Sequence, residues 1–245
     1  MKSNVEWEKW GEKDPLFAVA TWPGKEKDGA NPWTDEEFYA LGRSDGESFL
    51  TAWNSFGCDR RHLLEIGCGA GRLTRFFATC FDQVSAVDVS EHQIAYARSR
   101  IDQDHVRFFK TDGDGLPLKD GEATAVFSAQ VFQHFNSRED IARIFREIHR
   151  VLAPGGTLMI HLPLYSLPNN SLAPLLRGLI DIYGQLAQAK AWLARKRGKL
   201  IMRMLVSDRA WLISFLAELG FRRIEFRGLD MNSKDSGHDF VFAQK

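Results

Sequence analysis

The stretch that decides the fold is LLEIGCGAGR, residues 63–72. A short apolar run containing Glu65 leads into three glycines at alternate positions, Gly67, Gly69 and Gly71. Glycine lets a backbone bend sharply and approach a ligand closely, and a helix that follows such a turn presents free N–H groups. A strand, a glycine turn and a helix in this order predict a nucleotide site in a doubly wound sheet.

The spacing of these glycines differs from that of the known phosphate-binding glycine motifs. A dinucleotide fingerprint, G-x-G-x-x-G, needs a glycine where this chain has Arg72. A phosphate-cradling loop needs a Lys followed by Ser or Thr, and the stretch has neither. Both departures favour an adenosine ligand that carries no phosphates, and they disfavour a nicotinamide-dependent oxidoreductase.

Apolar strand-like runs alternate with helix-like segments on either side of this turn. The runs are HLLEI (62–66), VSAVDV (84–89), HVRFF (105–109), ATAVFS (123–128) and TLMIHL (157–162). The helices are expected through LTRFFATCF (73–81), after a capping box of Ser90 and Gln93, and through 138–152. This alternation predicts a parallel sheet covered on both faces. RRIEFR (222–227) and DFVFAQ (239–244) have only a loop between them and are expected to pair antiparallel.

The composition of the chain limits which classes of function are expected. The 245 residues carry 32 Lys+Arg and 32 Asp+Glu, so no bulk basic field attracts nucleic acid. Three cysteines without paired spacing predict neither a disulfide framework nor a zinc site, and no metal is expected; such usage suits a reducing cytoplasm. The charged start MKSNVEWEKWGEKD predicts no signal peptide, and no apolar run is long enough to predict a transmembrane segment.

EIGCGAG (65–71) resembles motif I, E/D-x-G-x-G-x-G, of the class I S-adenosylmethionine-dependent methyltransferases. Asp88 at the end of the second strand, Asp112-Gly113 after the third and VLAPGGTLMI (151–160) are similar to further motifs of that family, in the same order. The resemblance implies an α/β fold with a Rossmann-like, doubly wound, seven-stranded sheet whose last strand is antiparallel. It also implies S-adenosyl-L-methionine as the cofactor.

The resemblance implies a set of cofactor-binding residues: Glu65, Gly67, Cys68, Gly69, Gly71, Asp88, Val89, Asp112, Gly113 and Ser128. Asp88 is expected to accept both ribose hydroxyls, or else only to flank the helix capped at Ser90. Glu65 is expected to hold the methionine ammonium, or else to pin the turn. Asp112 is expected to accept from the adenine amino group, although Asp114-Gly115 repeats the same pattern and leaves the register open.

The segment after the fourth strand, SAQVFQHF (128–135), borders the transferred methyl group in the family. It lacks the [DNS]-P-P-[YF] pattern of enzymes that methylate amino groups of DNA bases or glutamine. His134 is the candidate catalytic base, because an imidazole titrates near neutral pH; the alternative is a histidine that only caps the loop. His161 is a second histidine on the same side of the sheet, with a structural role as its plainer interpretation.

Two segments are candidates for choosing the substrate. Residues 1–59 are expected to form an N-terminal cap and helix, and 60–245 the methyltransferase domain with a helical lid at 163–206. Aromatic residues of 14–42 are expected to wall a dry site or to pack on the sheet: Phe17, Trp22, Trp33, Phe38 and Tyr39. The basic stretch 190–203 is either a solvated helix face or a docking site for an anionic group.

The leading hypothesis is methyl transfer to a small molecule or glycan, most simply on oxygen. A non-catalytic S-adenosylmethionine-binding protein and, less favoured, a nicotinamide-dependent oxidoreductase are the alternatives. No nucleic-acid partner is expected, since Trp192 is the lone aromatic residue of the basic stretch. The sequence leaves the acceptor and the oligomeric state undetermined.

Overall fold

The computed structural model describes residues 4–167, 175–176, 178–180, 204–230 and 238–245. Seven strands form the main sheet: β1 His62–Ile66, β2 Gln83–Asp88, β3 Val106–Lys110, β4 Ala123–Ser128, β5 Leu152–His161, β6 Arg222–Leu229 and β7 His238–Gln244. The helices are α1 Asn4–Lys13, α2 Pro15–Val19, α3 Asp35–Phe56, α4 Thr74–Phe77, α5 Glu91–Arg98, α6 Arg138–Val151 and α7 Arg209–Glu218, with a 3₁₀ turn at Phe132–His134.

The strand order in the sheet is β3-β2-β1-β4-β5-β7-β6. The first five strands are parallel, and β7 runs antiparallel to both β5 and β6. The predicted seven-stranded, doubly wound sheet with an antiparallel last strand is therefore confirmed. The order reverses between β1 and β4, and the carboxyl ends of parallel strands at such a reversal form a natural ligand crevice.

Alternate residues of the central strands pack on opposite faces of the sheet. Leu64, Val126 and Leu158 pack with Phe145 and other apolar residues of α6 and α7. Their sequence neighbours Leu63, Phe127 and Met159 pack with α3 and α4 on the other face. Burial on both faces explains why the strands read as continuous apolar runs rather than as alternating patterns.

Helix α3 is part of this core. Thr34 and Glu37 form a capping box at its start, and Gly57 ends the helix in a left-handed conformation. Trp53 is fully buried, and its Nε1 donates to Thr157 Oγ1 of β5 at 3.0 Å. Helix α3 is therefore held against the sheet both by apolar packing and by a hydrogen bond between residues 104 positions apart in the sequence.

Three local expectations were wrong. The helix after the glycine turn covers only Thr74–Phe77, because the preceding residues are held in turns. Strand β5 begins at Leu152 rather than at 157. Ser90 accepts the Gln93 N–H as predicted, but the Gln93 side chain does not complete the capping box; it donates to Pro15 O instead.

Most of the predicted lid (163–206) and the basic stretch 190–203 lie outside the described residues. The ends of that insertion are joined, because Leu164–Tyr165 and Ser207–Asp208 pair as a short parallel ribbon. Within the described ranges, no helix has the length and apolar character needed to cross a bilayer.

Candidate functional site

A cavity of about 280 Å³ opens at the carboxyl ends of β1, β2 and β4. The glycine turn, Asp88 and the loops after β3 and β4 form its walls. Helix α1, the end of helix α2 and Thr21 border it from outside the sheet. The cavity thus lies where the strand order reverses, which is the position expected for a ligand of a doubly wound sheet.

The glycine turn has the shape that bare backbone permits. Gly67, Gly69 and Gly71 have φ values of +77°, +52° and +80°. A Cβ at Gly67 would lie 2.1 Å from Val131 Cγ2, and one at Gly69 would lie 2.5 Å from Val19 Cγ2. Gly67 and Gly69 line the cavity, so both positions require glycine for conformation and for space.

Asp88 links the end of β2 to that turn. Its Oδ2 accepts the Gly69 N–H at 2.8 Å, and its Oδ1 accepts the Ser90 N–H at 2.9 Å. Burial raises the pKa of this carboxyl, while the backbone N–H donors oppose the rise. Each carboxylate oxygen keeps a further acceptor site, so Asp88 is able to accept from ligand hydroxyls in the cavity that it lines.

Gln93 is a cavity residue that the sequence analysis missed. It is 3% exposed, and its Nε2 donates to Pro15 O at 3.1 Å. Its Oε1 is buried without a hydrogen-bond partner among the described residues. A Cβ at Gly69 would lie 3.8 Å from this oxygen, so it is close to the glycine turn. The capping-box pattern pointed to a different role for Gln93, and only the fold brings its amide to the cavity.

Together, these groups fit an adenosine ligand. Asp88 and Gln93 both line one cavity, and Gln93 Oε1 is buried there without a hydrogen-bond partner among the described residues. A buried acceptor without a partner is costly. A ligand that satisfies them has to supply hydrogen-bond donors, as the two hydroxyls of a ribose do. The glycine turn beside them lets the ligand approach the backbone closely.

Glu65 lies beneath the turn rather than in the cavity wall. It is 3% exposed, and its Oε2 accepts the Thr74 hydroxyl at 2.6 Å. Burial raises the pKa of Glu65 to about 7; the Thr74 hydrogen bond and the charge of Arg72 oppose this rise. The observed contact is with Thr74, which follows the turn, so both predicted roles of Glu65, toward the N–H groups of the turn and toward the ammonium, stay predictions.

The other predicted residues divide into two groups. Val89 and Gly113 line the cavity, as Gly67, Gly69, Asp88 and His134 do. Cys68, Gly71, Asp112 and Ser128 are not among its lining residues. The Ser128 hydroxyl donates to Ile66 O at 2.8 Å, and the exposed Asp112 accepts the Asp114 N–H through Oδ1. Their roles toward the cofactor stay predictions.

His134 lies on the β4 side of the cavity, against helix α1. Its ring centroid is 4.8 Å from that of Trp7, and its Nε2 is 3.1 Å from Gln133 Nε2. Because an amide NH₂ only donates, Nε2 is the accepting nitrogen of that pair. Asn4 of the same helix donates to Asp112 O at 2.5 Å. Helix α1 therefore covers the cavity from the loop after β3 to the loop after β4.

The aromatic wall of the cavity differs from the expected one. Phe17, Trp22, Trp33, Phe38 and Tyr39 are described residues, and none of the five lines the cavity. Ala18, Val19 and Thr21 of the same segment do line it. Trp7 and Phe135 supply the aromatic wall instead, and Trp7 comes from a segment whose sequence shows no clear periodicity. In the described part of the chain, no three His, Cys, Asp or Glu side chains cluster to hold a metal ion.

Comparisons with known proteins identify relatives of this chain. Residues 64–160 match the family model described as a methyltransferase domain. A Mycobacterium tuberculosis protein named "Probable S-adenosylmethionine-dependent methyltransferase" is 38% identical over 106 residues, which are 43% of this chain and 37% of that protein. The malonyl-[acyl-carrier protein] O-methyltransferase of Pectobacterium atrosepticum is 29% identical over 123 residues, 50% of this chain and 46% of that one.

Among solved structures, one similar chain belongs to the complex of the Haloferax volcanii Trm112 methyltransferase activator with a methyltransferase. The TM-score is 0.62 at 14% identity, and the match covers 98% of this chain and 97% of that one. At this identity the likeness shows the fold. The matched segments span less than half the length of the two relatives found by sequence.

Proposed function

We propose that this chain, which carries a class I S-adenosylmethionine-dependent methyltransferase domain, transfers a methyl group to an oxygen atom of a small molecule or glycan. S-adenosyl-L-methionine is the cofactor of this family, and it supplies a methyl group already activated on a sulfonium. The observation that carries the proposal is the shared cavity of Asp88 and the unpaired Gln93 Oε1 beside the glycine turn.

In this proposal, Asp88 and Gln93 hold the ribose from the β2 side, and Gly67 and Gly69 admit the cofactor close to the backbone. Gly113 and Val89 line the cavity beside Asp88, where the adenine would lie. Glu65 fixes the turn from beneath through Thr74. A transfer of this kind depends mainly on alignment of donor and acceptor and on the exclusion of water.

The acceptor would enter beside His134. Trp7, Val131 and Phe135 give this side of the cavity an apolar wall. Such walls favour an acceptor with an apolar portion. His134 would receive the hydroxyl proton at Nε2, after the acceptor displaces the Gln133 amide from that nitrogen. The absence of the [DNS]-P-P-[YF] pattern from 128–135 and the O-methyltransferase among the relatives support oxygen as the acceptor atom.

A second candidate is binding of S-adenosylmethionine without turnover. The pairing of Gln133 with His134 favours it, since the nitrogen needed for proton transfer already accepts a hydrogen bond. The nicotinamide alternative has less support. Arg72 stands where a dinucleotide site needs glycine, and it forms a buried ion pair with Asp45 of α3.

Calorimetric titration with S-adenosylhomocysteine, using NAD as the matched control, tests the cofactor assignment on the wild type. We expect binding of the first and none of the second. Mass spectrometry of a metabolite pool incubated with S-adenosylmethionine then separates the two leading candidates. Methyl transfer releases S-adenosylhomocysteine and adds a methyl mass to one pool member; binding alone leaves the pool unchanged. Failure to bind S-adenosylhomocysteine would refute both.

A further inference from the structure

The loop after β4 contains a backbone conformation that its sequence does not favour. Gln130 has φ +59°, in the left-handed region that side-chain-bearing residues rarely adopt. Such a conformation persists only where the surrounding structure holds it, and such residues cluster at functional sites. Gln130 lines the cavity, so the groups that hold its backbone also shape the site.

His161 provides that hold from the end of β5. The Gln130 N–H donates to His161 Nδ1 at 3.1 Å. An amide N–H has no acceptor role, so Nδ1 is the unprotonated nitrogen of the ring and the ring proton is on Nε2. Nε2 lies 3.1 Å from His238 Nδ1 and donates to it. The two histidines therefore form a directed chain of hydrogen bonds that ends on Gln130.

The surroundings of His161 keep this arrangement in one protonation state. Its side chain is 2% exposed, and its ring packs against those of His238 and Phe240. Burial, with smaller effects from His238 and His134, lowers the pKa of His161 to about 3. The ring stays neutral at physiological pH, so Nδ1 remains an acceptor.

The position of Gln130 determines where its neighbours lie. Val131 Cγ2 lies 2.1 Å from where a Cβ of Gly67 would be, so the loop sits directly against the glycine turn. The His134 N–H donates to Val131 O at 2.9 Å, which ties His134 to the same loop. A shift at Gln130 would therefore displace both the contact with the turn and the candidate base.

The order of the strands indicates which part of the cofactor this loop would meet. Along the edge of the sheet, β3, β2, β1 and β4 follow one another. With the ribose at Asp88 on β2 and the adenine toward β3, the amino-acid part of the cofactor falls over β1 and β4. That position is beside Gly67 and Gln130.

We propose that His161 is a positioning residue, which works with His238 to hold Gln130 in its left-handed conformation and so to seat the loop 129–134 against the cofactor. The proposal rests on the proposed function for the identity of the cofactor. In this role His161 neither contacts the substrate nor transfers a proton.

Two amide substitutions of His161 distinguish the role of its Nδ1 from that of its Nε2. In His161→Asn, the amide oxygen lies about where Nδ1 was and is able to accept the Gln130 N–H. In His161→Gln, the amide lies near the former Nε2, so it keeps the partner His238 and loses Gln130. Glutamine fills more of the buried volume than asparagine, so a role in packing alone predicts the opposite ranking.

The test has two readouts on the full chain. Hydrogen–deuterium exchange of peptides spanning 129–135 reports the Gln130 N–H directly. Calorimetry compares S-adenosylhomocysteine with 5′-methylthioadenosine, which lacks the amino-acid part. For His161→Gln we expect at least ten-fold faster exchange and about ten-fold weaker binding of S-adenosylhomocysteine, with methylthioadenosine unchanged. For His161→Asn we expect exchange and binding within about two-fold of the wild type.

Equal behaviour of the two variants would overturn the proposal, and so would equal weakening of both ligands. Exchange of peptides from β1 serves as the control for general loosening of the fold. If the wild type binds neither ligand, the proposed function fails. The exchange of Gln130 in the two variants still decides whether His161 holds the loop.

Discussion

The Oδ2 atom of Asp88 lies 2.8 Å from the backbone nitrogen of Gly69, so the acid that we assign to the ribose also fastens the glycine turn. One side chain thus couples the shape of the turn to the recognition of the ligand. Both oxygens of Asp88 accept backbone N–H groups, which leaves their remaining acceptor sites oriented by the protein before any ligand binds.

Asp88→Asn is expected to weaken binding of S-adenosylhomocysteine by at least about ten-fold. The amide group turns one acceptor into a donor, which then faces either a backbone N–H or a ribose hydroxyl. Loss of one backbone hydrogen bond is expected to lower the free energy of unfolding by about 1 kcal/mol. Calorimetry and thermal unfolding measure the two effects. Glu91→Gln, an exposed substitution three positions along the chain, is the control for binding and should leave the affinity unchanged.

Gln93→Met is expected to separate stability from binding. Methionine has a similar shape and removes the buried unpaired Oε1, together with the donor to Pro15. These losses oppose each other, so the melting temperature should change little. Affinity for S-adenosylhomocysteine should fall about three- to ten-fold, the value of one hydrogen bond. If Oε1 accepts a hydrogen bond from one of the ribose hydroxyls, the substitution should weaken binding of the 2′- or 3′-deoxyribose analogue that lacks this hydroxyl less than it weakens binding of S-adenosylhomocysteine. Equal affinity of wild type and variant for all ligands would show that Gln93 does not bind the ligand.

Gly67→Ala is expected to destabilise the fold more than Gly24→Ala. Both glycines have positive φ, +77° and +82°, so both substitutions carry the cost of a left-handed alanine, about 1–2 kcal/mol. Only at Gly67 does the added methyl group meet a neighbour, Val131. Chemical denaturation measures the difference, and the double variant Gly67→Ala, Val131→Ala should recover part of it. Equal costs at the two glycines would mean that Val131 moves away freely.

The sequence predicted the sheet well because its signal is local. Each strand is a continuous apolar run, and the order of motifs around 65–71 and 151–160 places them in a known topology. Asp88, Gly67 and Gly69, which line the cavity, could be singled out for the same reason. Each residue lies within or next to the strand that positions it.

The residues that the sequence missed are brought in from far along the chain. Trp7 and Asn4 reach the cavity from a helix that has no clear pattern of its own, and Gln93 carried a pattern typical of helix capping. His161 and His238 are 77 positions apart, and only the antiparallel pairing of β7 with β5 brings them together. Spacing in the sequence contains no information about such contacts.

Glu65→Gln is expected to change the pH dependence of stability. Burial raises the pKa of Glu65 from its ordinary value of 4.5 to about 7, so between these values the folded protein binds a proton that the unfolded chain has released. The free energy of unfolding therefore falls as pH rises through this window, by up to about 3 kcal/mol. Glutamine keeps an acceptor for Thr74 and does not ionise.

The measurement is urea denaturation of the wild type and of Glu65→Gln between pH 4 and pH 8. The variant should gain stability relative to the wild type as pH rises from about 4.5 to 7, and the two should run parallel below that range. A constant difference across the whole range would contradict the raised pKa. If Glu65 also pairs with the ammonium of the ligand, binding near pH 6 releases a proton. Calorimetry in two buffers of different ionisation enthalpy detects that release.

His134→Ala is expected to lower kcat for an oxygen acceptor about 10²- to 10⁴-fold, the usual contribution of a general base. Binding of S-adenosylhomocysteine should remain within about two-fold, because the substitution leaves Asp88 and the glycine turn untouched. The matched control is Gln133→Leu, which removes the amide that donates to His134 Nε2 and leaves the imidazole in place. It frees that nitrogen for the acceptor, so its kcat should be equal to or higher than that of the wild type. An unchanged kcat in His134→Ala would assign the histidine to packing against Trp7 and would move the search for a base elsewhere in the cavity.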